Sequence, residues 1–183
     1  MKPVHLTLIC HARTEAQRVG RFALDDEPAS ASIELATTAR CLTAPELRAR
    51  ETIEHLAATI DEGLRDCDLG AWKGQALKQL GEHDLQAWLA DPHATPHGGE
   101  SIAALCQRVA VWMDSALGEG EWVAVTHPFV IRAAMLHALG APFESFHRID
   151  VPPLARVRFS HYGQWRLQLA CEGARTNAGT TRT

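Results

Sequence analysis

An apolar run, Val4 to Ile9, breaks off at Cys10-His11-Ala12-Arg13-Thr14, and a later one, Glu121-Trp122-Val123-Ala124-Val125-Thr126-His127, also ends on a histidine. Each run is short and is followed by a segment of helical period, so strand alternates with helix. Such alternation gives a mostly parallel sheet with helices on both faces, because right-handed crossovers carry them there. The carboxyl ends of these strands open onto the crevice where ligands bind. Two strand-end histidines therefore belong to one candidate site.

A chain of 183 residues can bury a core without staples. We expect one three-layer α/β/α domain over residues 1–172 and a frayed polar tail over 173–183. The net charge is −4, with Lys and Arg scattered rather than striped among aromatics, which argues against a nucleic-acid partner. No run of about 18 apolar residues occurs, so no membrane partner is expected. The start of the chain enters a strand too soon for a secretory signal, which points to the cytoplasm. Five cysteines without a C-x-x-C pair argue against a disulfide framework or a zinc knuckle. The histidines lack H-x-x-x-H spacing, so no metal and no cofactor is expected. The oligomeric state, monomer or homodimer, is left open.

Along the chain, a short helix opens near Glu15 and ends before Asp25-Asp26-Glu27-Pro28. Ala36–Leu42 reads as a strand, and Thr43-Ala44-Pro45 opens a helix from Glu46 to about Ile60. Leu64–Leu69 reads as extended, and helical spacing returns from Leu77 to Leu89, closed by Asp91-Pro92. Glu100-Ser101 opens a long helix whose apolar positions run from Ile102 to Leu117, and another spans Val130–Leu139. Ala155–Phe159 and Trp165–Leu169 alternate around His161-Tyr162-Gly163, a hairpin pattern.

Five segments in order carry a resemblance: Leu8-Ile9-Cys10-His11-Ala12-Arg13-Thr14; Leu47-Arg48-Ala49-Arg50-Glu51-Thr52; Leu64 to Gly74; Pro96-His97-Gly98-Gly99-Glu100-Ser101; and Val125-Thr126-His127 with Val130-Ile131-Arg132. Together they resemble the histidine phosphatase superfamily, whose fold is phosphoglycerate mutase-like. The resemblance implies a phosphomonoester hydrolase acting on a small phosphorylated metabolite. His11 would be the nucleophile that becomes phosphohistidine, splitting one hard displacement into two easier ones. His127 would hydrogen-bond the transferring phosphate and Arg48 would bind it, with Thr14, Gln17 and Arg21 completing the phosphate-binding set. Asp66 takes the place of the family's acid, a Glu, which protonates the leaving alcohol; Asp68 and Glu100 stay open as alternatives.

The chain departs from the family's R-H-G by reading Cys10-His11-Ala12. We expect Arg13, Arg18 or Arg21, foremost Arg21, to supply the charge that position 10 lacks. Pro128-Phe129 stand where glycines are common, which implies a narrower and more apolar mouth. Cysteine-phosphatase chemistry is not expected, because C-x5-R from Cys10 meets Ala16. A mutase is also not favoured, since the relatives that achieve it carry longer insertions. The competing reading is a catalytically weak or inactive member that binds a phosphorylated or anionic ligand, or a protein partner.

Overall fold

In a computed structural model, which describes residues 3–169, the amino-terminal run lies near the middle of a six-stranded sheet. The boundary expected at 172 and the tail over 173–183 fall outside the described residues. The strands are β1 (Val4–Cys10), β2 (Arg40–Thr43), β3 (Thr59–Ile60), β4 (Gly120–Thr126), β5 (Arg156–His161) and β6 (Trp165–Gln168). Their order is β3-β2-β4-β1-β5-β6. β3, β2, β4 and β1 are parallel, whereas β5 and β6 form an antiparallel hairpin on the edge of β1. This is a mixed, mostly parallel sheet in a single three-layer α/β/α domain.

The helices are α1 (Glu15–Val19), α2 (Leu47–Thr52), α3 (Glu82–Ala90), α4 (Ile102–Ser115) and α5 (Pro128–Leu139). α4 and α5 pack against each other, and Leu105, Val109 and Met113 of α4 and Val130, Ile131 and Ala134 of α5 belong to the buried core. Each large aliphatic side chain buried there contributes about 1.5–3 kcal/mol. β1 and β4 are the spine: Leu6, Leu8 and Ile9 lie beside Val123, Ala124 and Val125, all essentially without solvent contact except Val123 at 7%. Among the described residues, no helix is long and apolar enough to cross a membrane.

Four expectations need correction. The helix from Glu46 stops at Thr52, not Ile60, because Thr59–Ile60 pairs in parallel with Leu42–Thr43 as the sheet's outer strand. The strand expected over Ala36–Leu42 occupies Arg40–Thr43, and residues 31–38 have no regular structure. The helical spacing of Leu77–Leu89 is divided by Gly81 into a 3-10 turn, Leu77–Gln79, and α3. Leu64–Leu69 begins as the end of a 3-10 turn, Glu62–Leu64, and continues as irregular loop.

Candidate active site

Three neighbouring parallel strands, β2, β4 and β1, end on one edge of the sheet. Past β1, the His11 amide donates to Thr126 O at 2.9 Å, carrying the ladder one residue beyond Cys10. Past β2, Ala44 N donates to Val125 O at 2.9 Å, so α2 starts beside β4 and brings Glu46 and Arg48 to the same place. His127 is the N-cap of α5, and Pro128 follows at a helical position that has no use for an N–H.

The His11 ring is 3% exposed, and its Nδ1 lies 2.7 Å from Ala12 O. A carbonyl oxygen only accepts, so Nδ1 carries the proton and Nε2 the lone pair. Burial, then the neighbouring His127 and Arg48, hold the pKa of His11 at about 4 against the opposing bond to Ala12. The imidazole is therefore neutral and nucleophilic at neutral pH. Ala12 N in turn donates to Thr52 Oγ1 at 2.9 Å, and that hydroxyl donates to Arg48 O at 2.7 Å.

Arg48 is 2% exposed and donates to Asp66 Oδ2 at 2.6 Å and to Leu24 O at 2.8 Å. The same Asp66 oxygen lies 3.3 Å from His127 Nδ1. Burial alone would raise the Asp66 pKa; the charges of His127 and Arg48 overcome it and hold the carboxyl at about 2. His127 is fully buried, with its ring 5.2 Å from that of His11. Its Nε2 donates to Glu46 Oε2 at 2.7 Å. Burial pushes Glu46 up, but its bond to His127 and the charge of that ring outweigh this and keep the carboxyl low. Glu46 Oε1 also accepts from Asp66 N at 3.0 Å, so one carboxylate fixes both the histidine and the loop of the acid.

His11, Arg48 and Asp66 line a cavity of about 300 Å³. Thr14, Gln17 and Arg21 line it as well, while fully buried His127 does not. Phe22, Leu69, Pro128, Phe129 and Val151 are its apolar lining. Thr14 and Gln17 close a reciprocal capping box at the start of α1. Of the three acid candidates only Asp66 lines this cavity. Glu100 is gripped by Arg108 at 2.8 and 2.9 Å, and exposed Asp68 accepts from Gly70 N and pairs with Lys73. The Gly98-Gly99 turn supports the acid's loop: a Cβ on Gly99 would lie 2.0 Å from Asp68 O, and Glu100 N donates to that oxygen at 2.7 Å.

Against this geometry, residues 6–172 match the family model of the histidine phosphatase superfamily, branch 1. The chain belongs to this superfamily. Among curated proteins, a bifunctional protein of Mycobacterium tuberculosis, Rv2228c, is 28% identical over 184 residues, covering 86% of this chain and 50% of its own length. A Mycobacterium bovis protein without assigned function, Mb2253c, matches to the same extent. The chain thus spans about half the length of these relatives. Among solved structures, a mutant phosphoserine phosphatase from Entamoeba histolytica with bound phosphoserine has a TM-score of 0.76 at 17% identity, covering 91% of this chain and 95% of its own. A mycobacterial glucosyl-3-phosphoglycerate phosphatase has a TM-score of 0.74 at 21% identity, covering 92% and 98%. TTHB049 from Thermus thermophilus has a TM-score of 0.71 at 27% identity, covering 90% and 97%.

Within this histidine phosphatase fold, the arginine expected to offset Cys10 does not stand free. Arg13 is exposed, and Arg18 pairs outward with Glu15. Arg21 lines the cavity, but both oxygens of buried Glu27 hold its guanidinium at 2.8 Å. Sequence reasoning missed Glu46, Thr52 and Glu27, whose work is to hold other side chains. Glu46 had a signal of sorts, an acidic residue directly before an arginine helix, but acids are common there for the helix dipole alone.

Proposed function

We propose that the chain is a phosphomonoester hydrolase that carries the phosphoryl group on His11 Nε2 and acts on a small phosphorylated metabolite. The observation that carries this reading is the 2.7 Å contact of His11 Nδ1 with Ala12 O, which assigns the ring proton to Nδ1 and the lone pair to Nε2, in a residue that lines the same cavity as Arg48 and Asp66. The phosphatases among the structural neighbours support the class of reaction, and the cavity volume of about 300 Å³ suits a small molecule.

In this reading the phosphate of the substrate competes with the Asp66 carboxylate for Arg48 and for His127 Nδ1. Displacement removes the cationic partner that holds Asp66 low and sets a phosphate charge beside it, so its pKa rises toward one a general acid can use. His11 Nε2 attacks phosphorus, the bond to the leaving oxygen breaks, and Asp66 delivers the proton to that oxygen. Water then attacks phosphohistidine, gives its proton to Asp66, and frees inorganic phosphate and the imidazole. The alternative reading, an anion binder without turnover, draws on the same carboxylate: if Asp66 stays ionised at about 2, no proton reaches the leaving group. Hydrolysis of a panel of phosphate esters by the wild type and His11→Ala, with rapid acid-free quenching to capture a phosphoryl adduct, decides between them. Turnover and an adduct that both vanish in His11→Ala are expected. Background rates identical in the two proteins would overturn the hydrolase.

A further inference from the structure

Four cationic side chains line the cavity: Arg21, Arg48, Lys73 and Arg132. Three are committed to carboxylates. Arg21 is held by Glu27, Arg48 by Asp66, and Lys73 by Asp25 at 3.2 Å and Asp68 at 3.3 Å. Among the described residues, Arg132 makes no ion pair.

Its arm is nevertheless fixed. Nε donates to Ile149 O at 2.7 Å, and the guanidinium carbon stands 5.4 Å and 5.6 Å from the ring centres of Phe129 and Phe146. This ties down the one nitrogen that bidentate recognition can do without and leaves the Nη1–Nη2 fork uncommitted to any carboxylate. A half-buried guanidinium without an anion is poorly compensated, and burial lowers its pKa, offset in part by Asp150 and Cys10. Arg132 is also among the charges that act on the Cys10 thiol, so the guanidinium is felt at the tip of β1. Burial raises that thiol to about 12, leaving the residue before the nucleophile uncharged.

We propose that Arg132 is a second phosphate-binding arginine of this cavity, reaching in from α5 to supply the positive charge that β1 lacks at Cys10. The inference rests on the phosphatase reading only for the identity of the ligand; the binding of an oxyanion by Arg132 stands apart from turnover. Arg132 and Arg48 then approach a bound phosphate from two separate elements, α5 and α2, which follow the neighbouring strands β4 and β2, while His11 stands at the tip of β1 on the other side of β4.

Orthovanadate binding by calorimetry, alongside turnover of p-nitrophenyl phosphate, tests this with Arg132→Gln, Arg132→Lys and the double variant Cys10→Arg/Arg132→Gln. Arg132→Gln should bind orthovanadate about 10- to 100-fold more weakly. Arg132→Lys, which keeps the charge but loses the bond to Ile149, should bind more tightly than Arg132→Gln, and Cys10→Arg should restore part of what Arg132→Gln loses. Affinity unchanged within about twofold in folded Arg132→Gln would overturn the proposal, as would equal losses in the Gln and Lys variants. If Arg132→Gln does not fold, the wild type carries the test: orthovanadate should shield Arg132 from phenylglyoxal, and undiminished modification would overturn the proposal. A wild type that binds orthovanadate through Arg132 yet hydrolyses no ester would sink the phosphatase reading and leave this one standing. Turnover that survives Arg132→Gln with unchanged affinity would do the reverse.

Discussion

Arg48 and Lys73 line the same cavity, each paired with an aspartate, yet only 2% of the Arg48 side chain is exposed whereas 32% of Lys73 is. Arg48 sits on α2 beside the strand tips, nearly without solvent contact and bonded to Leu24 O and Asp66 Oδ2. Lys73 sits at the rim, between Asp25 and Asp68, which are 66% and 56% exposed. Equal formal charge therefore has unequal worth. Breaking a buried pair strands a charge and costs about 3–5 kcal/mol, while an exposed pair contributes about 0–1 kcal/mol. The inner half of the cavity is built to be rigid and the rim to be replaceable.

The largest break in this contrast should come from Arg48→Ala. It leaves half-buried Asp66 without its arginine and Leu24 O without a donor, so we expect a loss of about 3 kcal/mol in urea unfolding together with collapse of turnover. A loss of less than about 1 kcal/mol would mean that Arg48 is no more constrained than a surface residue.

Asp66→Asn sharpens the contrast, because two readouts should move in opposite directions. Turnover should fall by about 10²- to 10⁴-fold as the proton donor is lost. Orthovanadate affinity should rise, since no carboxylate then competes for Arg48 and His127. Parallel losses of both would show that Asp66 organises the site rather than occupying it. Glu46→Gln should act more gently, lowering turnover by about 10- to 100-fold, as loss of a group that orients a functional histidine does. KM should change little, because Glu46 is not among the cavity-lining groups.

Acid should distinguish the two halves as well. The folded pKa of His11, about 4, lies below its ordinary 6.5, so the folded state binds fewer protons there than the unfolded one. The stability this group contributes is fully present above pH 6.5 and is lost as pH falls through 4; Asp66, depressed from 3.8 to about 2, adds a second loss below pH 4. The acid limb of kcat/KM assigned to His11 should accordingly lie near pH 4. A limb near 6.5 would place the ring in water and erase the inner half's distinction.

How much of this was legible in the sequence follows the same division. The strand-tip residues were readable because each stands where an apolar run stops: His11 after β1 and His127 after β4, with Arg48 one residue inside α2. Their supports were not. Glu46 and Thr52 meet their partners across 81 and 40 residues of chain, and helical spacing encodes only near neighbours. The helix expected to reach Ile60 failed for the same reason, since the pairing of Thr59–Ile60 with Leu42–Thr43 is a tertiary choice that local propensity does not contain. Arg21 lines the cavity, and its pairing with Glu27 was not legible, because Glu27 lies in a stretch that reads only as an acidic break before proline.

The smallest expected effect belongs to Lys73→Ala. Its ammonium is shared between two exposed aspartates, and burial works against its charge while Asp25 and Asp68 favour it, with a net upward pKa shift. Water replaces such contacts at little loss, so urea stability should change by about 1 kcal/mol or less. Activity should respond through KM rather than kcat, and by only a few-fold, with the difference shrinking as salt is raised because exposed charges are screened within about 10 Å at 0.1 M. A large kcat effect that persists at high salt would mean that Lys73 abandons its aspartates for the substrate, and the boundary between rigid interior and replaceable rim would then have to be drawn on the far side of the Gly70–Gly74 loop.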